Sequence, residues 1–205
     1  MDYIIITIFG YLIGSIPNGL IIGKRLYDVD LRQFGSKNIG ATNAFRTLGL
    51  WPAFWVFLTD AAKGIIAVYL SDMIVGTPIA LLLGGIASIA GHNWSIFLNF
   101  TGGRGVATGL GVIAVLVPKV TILIFLIWAI IVYATRYVSL ASIVAAALVP
   151  IFMFMMGERI EFLYFGIIAA LFVVVRHKPN IERLLKGQEL KIKLGTMVTE
   201  NKKEK

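Results

Sequence analysis

The cations of this chain lie almost entirely between its long apolar stretches. Of the 19 lysines and arginines, 16 fall in alternate connections and the C-terminal region, two (Lys119 and Arg159) fall in the other connections, and Lys63 lies within an apolar stretch. Short cytoplasmic loops of membrane proteins collect Lys and Arg, whereas acidic residues contribute little to orientation. The pattern predicts a multi-pass membrane protein with its basic loops and its C-terminus in the cytoplasm.

Seven apolar segments have about the length that a bilayer requires. A hydrocarbon core about 30 Å thick needs about 20 helical residues, and apolar residues make up 58% of the chain, with a mean hydropathy of +0.86. We predict an all-α integral membrane protein with about seven transmembrane helices, over 3–23, 50–70, 74–94, 106–118, 119–135, 139–157 and 160–176. An odd number of spans places the N-terminus outside.

These spans leave no room for a soluble domain within 205 residues. We predict one transmembrane domain over 1–190 and a basic, disordered cytoplasmic tail over 191–205. The first span is not assigned as a signal peptide, because Asp2 replaces the usual basic n-region and no small-residue cleavage site precedes a soluble domain. The net charge of +8 indicates either an anionic partner or, more simply, positive-inside bias with a tail on anionic lipid headgroups.

Composition excludes several kinds of site. The chain has no cysteine, so disulfides, thiolate metal sites and a cysteine nucleophile are excluded, and its two histidines are too few for a histidine-rich metal site. The Walker A spacing is absent, so no nucleotide is implied. We expect no metal, no cofactor and no nucleic-acid partner.

Two predicted cytoplasmic segments combine small residues, hydrogen-bond donors and a cation. Residues 35–46 (GSKNIGATNAFR) can turn and present backbone N–H groups to an anion, which makes them a candidate phosphate cradle. The alternative is an interfacial turn capped by Ser and Asn. Residues 102–105 (GGRG) precede a span, where helix N–H groups and a guanidinium suit an anion, although glycines there also serve close helix packing.

Further polar residues lie after the fifth span, in residues 136–142, after the seventh span, and within the second span. Pro179 ends the seventh span and is followed by a predicted short amphipathic helix at the interface. His177, at that break, is either a polar anchor or a catalytic group. Asp60 and Lys63 share a helix face, which indicates an internal ion pair or contacts with the loops, and either a structural or a site role stays open.

Taken together, the motifs resemble those of the membrane-bound, acyl-phosphate-dependent glycerol-3-phosphate acyltransferases, the PlsY family. The resemblance is carried by 35–46, by Gly91-His92 with 100–108, by 137–142, and by Arg176-His177 with 180–184, and it extends to about Gly187. It implies a bacterial inner-membrane enzyme with its active site on the cytoplasmic face. The enzyme would transfer a fatty acyl group from acyl-phosphate to the sn-1 hydroxyl of glycerol-3-phosphate, giving lysophosphatidic acid and phosphate, the first step of phospholipid synthesis. Neither acyl-CoA nor acyl-carrier protein would be a donor.

The resemblance also implies site residues. Those expected to take part in catalysis are Ser36, Arg46 and His177. Those expected to bind substrate are Asn38, Gly40, Thr42, Asn43, His92, Gly102, Gly103, Arg104, Gly105, Ser142 and Asn180. In a substrate-assisted mechanism the donor's phosphate would deprotonate the acceptor hydroxyl, and His177 as base is the competing assignment.

The chain departs from the family pattern at one position. Where the family frequently has Lys, this chain has Arg104, which keeps the charge but replaces a compact ammonium by a planar guanidinium.

The alternative function is a small transporter of a phosphorylated solute, with the glycine-rich helix starts lining a path. Against it, we find no duplication of the span pattern, and the motif residues gather at one face rather than at the midplane.

Overall fold

The computed structural model describes residues 1–192, and this part of the chain is helical, with ten α-helices and no β-strand. The helices are α1 (Asp2–Ser15), α2 (Asn18–Tyr27), α3 (Ala41–Leu48), α4 (Leu50–Ile74), α5 (Pro78–Asn93), α6 (Val106–Leu116), α7 (Pro118–Thr135), α8 (Val138–Met155), α9 (Ile160–Arg176) and α10 (Lys178–Leu185). Short 3₁₀ helices cover Leu31–Gln33 and Ile96–Leu98.

Each of the seven predicted apolar segments contains a helix, but the helices differ in length. Four are long and apolar enough to cross a membrane by themselves: 2–27 counted through its break, α4, α7 and α8. The pair α9 and α10, bent by 58°, passes the same test if it is counted as one span. The apolar helices α5 and α6, with 16 and 11 residues, are shorter.

The first predicted span is interrupted. Helix α1 ends at Ser15, and α2 begins at Asn18, directly after Pro17. Proline has no N–H to donate and restricts its preceding residue, so the helical ladder stops here. The carbonyl oxygen of Ile16 accepts hydrogen bonds from Asn18 N at 3.0 Å and from Lys63 Nζ at 2.9 Å, so this backbone group at the break is satisfied within the protein.

Two amphipathic helices flank the polar connections. Part of the predicted turn at 35–46 is the helix α3, while residues 34–40 remain irregular. The prediction of a short helix after Pro179 is confirmed, because α10 carries this proline in its first turn, where the missing N–H removes no helical hydrogen bond.

Close backbone approach holds α1 against α5. A Cβ on Gly14 would collide with the backbone of Ser88, so only glycine allows the two helices to touch here. The main apolar core lies between α4, α5, α6, α7, α8 and α9, and includes Val112, Val120, Met153 and Phe165. Many large apolar side chains face outward, as in Tyr133, Phe154 and Leu171, which suits a protein surrounded by lipid.

The charged pair within the second predicted span is an ion pair. Lys63 Nζ lies 2.9 Å from Asp60 Oδ1, and both side chains are almost completely buried. Asn18 Nδ2 donates to the same carboxylate oxygen at 3.3 Å. Burial of one charge without the other would be very costly, so the pair is a unit of the fold.

The chain remains in contact with the helices after α10. Ile192 N donates to Arg136 O at 2.9 Å, and Lys191 Nζ lies 5.1 Å from the centre of the Tyr137 ring. Most of the tail predicted to be disordered, residues 193–205, lies outside the described residues.

Candidate active site

A cavity of about 510 Å³ opens among α3, α4, α6, α7, α8 and α9. One end is polar and is lined by Ser36, Asn38, Arg46, Arg104, Ser142, His177 and Glu189. The other end is apolar and is lined by Ile113, Phe125, Trp128, Ala145, Val149 and Ala170. A cavity with this division suits a ligand with an anionic head and a hydrocarbon chain.

The segment before α3 is held in shape by one buried amide. Asn43 Nδ2 donates to the carbonyl oxygens of Leu31, Phe34 and Asn38 at 2.9, 3.1 and 2.8 Å. Its Oδ1 accepts from Ser36 N at 2.8 Å. Because its amide is occupied in this way, Asn43 fixes the backbone around Ser36, whose side chain lines the cavity.

Hydrogen bonds from two sides hold the Gly102–Gly105 loop. The guanidinium of Arg176 donates to Gly102 O at 3.1 Å and to Gly103 O at 3.1 and 2.9 Å. On the other side, Gly103 N donates to His92 O at 2.9 Å. A Cβ on Gly103 would collide with His92 Nε2, so the absence of a side chain lets the loop lie on the imidazole.

The loop places Arg104 at the cavity, which Arg46 also lines. Burial lowers the pKa of Arg46 and lowers the pKa of Arg104 to about 10. Both guanidinium groups are cations at neutral pH, because arginine is not deprotonated in proteins. Arg46 Nη2 donates to Leu190 O at 2.7 Å. Two fixed cations at the polar end favour an anionic ligand such as a phosphate.

Glu189 is a site residue that the sequence motifs did not identify. Its Oε1 accepts from Ser139 Oγ at 2.9 Å and from Asn180 Nδ2 at 2.7 Å, and its Oε2 accepts from Arg183 Nε at 2.7 Å. Burial alone would raise the pKa of Glu189, but the hydrogen bonds from Asn180, Arg183 and Ser139 together lower it below its usual value. The carboxylate thus joins α8, α10 and the following segment beside the two cations.

His177 and Ser142 face the cavity with fixed hydrogen bonds. His177 is 2% exposed, and because a carbonyl only accepts, its Nδ1–H donates to Val173 O at 2.7 Å. Burial lowers the pKa of His177 to about 4, so the ring is neutral and Nε2 carries a lone pair. Ser142 Oγ accepts from Trp128 Nε1 at 3.1 Å, which leaves its O–H free to donate.

Most of the predicted site residues lie together around this cavity. Eleven of the fourteen line it: Ser36, Asn38, Gly40, Thr42, Asn43, Arg46, His92, Arg104, Gly105, Ser142 and His177. Gly102, Gly103 and Asn180 lie behind its wall and contact residues that do line it. Two more residues line the cavity: Ser139, which lies within the 137–142 motif but was given no role, and Asp60, for which a site role was left open. Within residues 1–192 we find no cluster of three or more residues suited to hold a metal ion.

Comparison with known proteins gives the same family along most of the chain. The family model for glycerol-3-phosphate acyltransferase matches residues 4–187. The chain is 46% identical over 191 residues to a glycerol-3-phosphate acyltransferase of Prochlorococcus marinus (strain MIT 9215), covering 92% of this chain and 97% of that protein. It is 44% identical over 190 residues to glycerol-3-phosphate acyltransferase 2 of Moorella thermoacetica, covering 93% and 97%.

Solved structures of an integral membrane protein share the fold. The crystal structure of PlsY (YgiH) in its glycerol 3-phosphate form superimposes with a TM-score of 0.89 at 40% identity, covering 94% of this chain and 96% of that one. A second form of that protein, with lysophosphatidic acid, gives a TM-score of 0.87 at 38% identity and the same coverage.

Proposed function

This chain belongs to the glycerol-3-phosphate acyltransferase family, and from that premise we propose that it acylates the sn-1 hydroxyl of glycerol-3-phosphate with acyl-phosphate as donor. The products would be lysophosphatidic acid and inorganic phosphate, as in the first acylation of phospholipid synthesis. The observation that carries the proposal is the divided cavity, whose Arg46 and Arg104 end suits phosphate groups and whose apolar end suits an acyl chain. The family assignment decides against the transporter.

The chemistry requires the acceptor hydroxyl to attack the acyl carbonyl while phosphate leaves. Arg46 and Arg104 stabilise the phosphate groups, and Ser36 and Ser142 supply hydroxyl donors at the same end of the cavity. In this mechanism catalysis rests on positioning and charge stabilisation rather than on a covalent acyl-enzyme.

The proton of the attacking hydroxyl goes to a substrate phosphate. The His177 pKa of about 4 makes its imidazole a weak base. The second pKa of a phosphate monoester is about 6, so the phosphate is the stronger base. His177 Nε2 then acts as a hydrogen-bond acceptor for the other hydroxyl of glycerol-3-phosphate, which orients the acceptor and leaves the attacking O–H to the phosphate. This assignment favours the substrate-assisted mechanism over His177 as the base.

We place the polar end of the cavity at the cytoplasmic face of the bacterial inner membrane, with seven spans and the N-terminus outside. The support is the positive-inside pattern, since Arg46, Arg104 and His177, which line that end, belong to the connections that collect lysine and arginine. Because the chain has no cysteine, single Arg25→Cys and Lys119→Cys variants test the orientation. In intact cells a membrane-impermeant maleimide should label Lys119→Cys and not Arg25→Cys; the reverse pattern would overturn it.

The reaction is tested with purified protein in lipid nanodiscs. Phosphate release from palmitoyl-phosphate should depend on glycerol-3-phosphate and should not occur with palmitoyl-CoA as donor. Ser36→Ala and His177→Ala should lose activity, whereas Thr7→Ala, a half-buried site on α1 that does not line the cavity, should retain it. Release by none of the folded proteins, or acylation from the CoA thioester, would contradict the proposed donor.

A further inference from the structure

Three buried ionisable side chains lie in contact beneath the Gly102–Gly105 loop. Asp60, Lys63 and His92 are 1%, 4% and 5% exposed. Lys63 Nζ lies 2.9 Å from Asp60 Oδ1 and 3.2 Å from His92 Nδ1, and Nδ1 lies 3.8 Å from the same carboxylate oxygen. Asp60 and His92 line the cavity, whereas Lys63 lies behind them. The mechanism above uses none of the three.

The ammonium group of Lys63 decides which role His92 Nδ1 plays. An ammonium has three N–H donors and no acceptor. The three donors of Lys63 have three acceptors within reach: Ile16 O at 2.9 Å, Asp60 Oδ1 at 2.9 Å and His92 Nδ1 at 3.2 Å. A proton on Nδ1 would point at the ammonium, so Nδ1 must be the acceptor.

An imidazole that accepts through Nδ1 is neutral and carries its proton on Nε2. Nε2 is the ring atom nearest to the position that a Cβ of Gly103 would take. None of the side-chain hydrogen bonds among residues 1–192 uses this nitrogen, and the ring lines the cavity close to the loop that carries Arg104. The Nε2–H group is therefore a donor available to a ligand at the loop.

We propose that Lys63, held by Asp60, is a positioning residue that fixes His92 as the Nε2–H tautomer, so that the ring donates a hydrogen bond to a phosphate oxygen bound beside Arg104. The proposal rests on the proposed function for the identity of that phosphate. His177 has the opposite tautomer, since its Nδ1–H donates to Val173 O. One cavity thus contains one imidazole that donates and one that accepts.

Nitrogen-15 NMR of the wild-type protein tests the tautomer without any assay of activity. The chain has two histidines, so protein labelled with ¹⁵N-histidine in detergent gives four ring signals, which a His177→Asn variant assigns. At pH 7.5 we expect an unprotonated Nδ1 and a protonated Nε2 for His92, and the reverse for His177. A protonated Nδ1 in His92 overturns the proposal even if the protein proves to be an active acyltransferase.

Two substitutions of His92 test the donor. The glutamine side-chain amide can reach the place of Nε2, whereas that of asparagine reaches only the place of Nδ1. A hydrogen bond to a charged group corresponds to about 10- to 100-fold in binding. We expect His92→Asn to raise KM by that factor, with kcat less affected, and His92→Gln to recover most of it. Equal loss in both variants contradicts a donor at Nε2.

The substrate whose KM changes identifies the phosphate. A change in KM for glycerol-3-phosphate places the bond on the acceptor, and a change in KM for acyl-phosphate places it on the donor; either supports the donor role. A change in neither contradicts it. To test Lys63 without leaving a lone buried charge, Asp60→Asn/Lys63→Met removes the ion pair. We expect the His92 ring signals of this variant to show a mixture of both tautomers, and an unchanged Nε2–H tautomer would overturn the role of Lys63.

Discussion

Replacing Arg176 with glutamine tests whether the Gly102–Gly105 loop depends on a side chain behind the cavity wall. The guanidinium makes three contacts of 2.9 to 3.1 Å with the carbonyl oxygens of Gly102 and Gly103. A hydrogen bond to a charged group contributes about 1.5–3 kcal/mol. Because Arg176 is only half-buried, the lower value applies, about 1.5 kcal/mol for each carbonyl, or about 3 kcal/mol for the two.

A glutamine amide can keep one neutral hydrogen bond worth about 1 kcal/mol, which leaves a loss of about 2 kcal/mol. If substrate binding must supply this energy to order the loop, the loss corresponds to about 30-fold in affinity. We therefore expect Arg176→Gln to raise KM for glycerol-3-phosphate about 30-fold, with a smaller change in kcat because the loss is in binding.

The assay is steady-state phosphate release from palmitoyl-phosphate at varied glycerol-3-phosphate, in the same nanodiscs for each variant. Arg159→Gln is the matched control, because Arg159 is exposed and forms only a surface pair with Glu161 at 3.3 Å, a kind of contact worth about 0–1 kcal/mol. A folded Arg176→Gln protein with wild-type KM, or an equal rise in the control, would refute the argument.

Three further predictions concern the loop and the carboxylate. Gly103→Ala should lower stability by about 1–3 kcal/mol through overpacking against His92; Gly109→Ala, whose Cβ would lie 3.7 Å from Ile89 Cδ1, should be tolerated, and thermal unfolding compares the two. Arg104→Gln should raise KM for glycerol-3-phosphate by about 10-fold or more and Arg104→Lys by less, since only lysine keeps the charge; equal KM values in the two would show that the charge is not used. The pKa of Glu189 is lower when folded than its ordinary 4.5, so its stabilisation is complete above about pH 4.5 and is lost as pH falls further. The difference in melting temperature between wild type and Glu189→Gln should therefore shrink below pH 4.5, and a constant difference would contradict the role of the carboxylate.

The spans were predictable because the bilayer imposes one requirement on all of them. Each must satisfy its backbone within a helix and face lipid with apolar side chains, so hydropathy located α4, α7 and α8 to within a few residues. The break between α1 and α2 was not predicted. Proline is tolerated in membrane helices when other groups satisfy the freed backbone, and the Lys63 donor that does so at Ile16 comes from another helix.

The cavity residues within the polar motifs were predictable from their resemblance to the family, because each motif is a continuous run. Glu189 lies outside the motifs, and Arg176 belongs to one but could not be given its role in the same way. Two partners of Glu189, Asn180 and Arg183, lie within nine residues, but Ser139 lies 50 residues earlier, and Arg176 contacts carbonyl groups more than 70 residues earlier. No local pattern records these distant pairs, since any side chain of the right length on a neighbouring helix would serve.

The histidines show the same limit at the level of single atoms. The family motifs contain both, yet the sequence does not distinguish a donor from an acceptor, since the two rings are chemically identical until a partner engages Nδ1. For His177 that partner is a carbonyl one helical turn earlier, which forces Nδ1 to donate. For His92 it is an ammonium from α4, which forces Nδ1 to accept. The partner of Nδ1 therefore fixes the chemistry that is available at Nε2 of each ring.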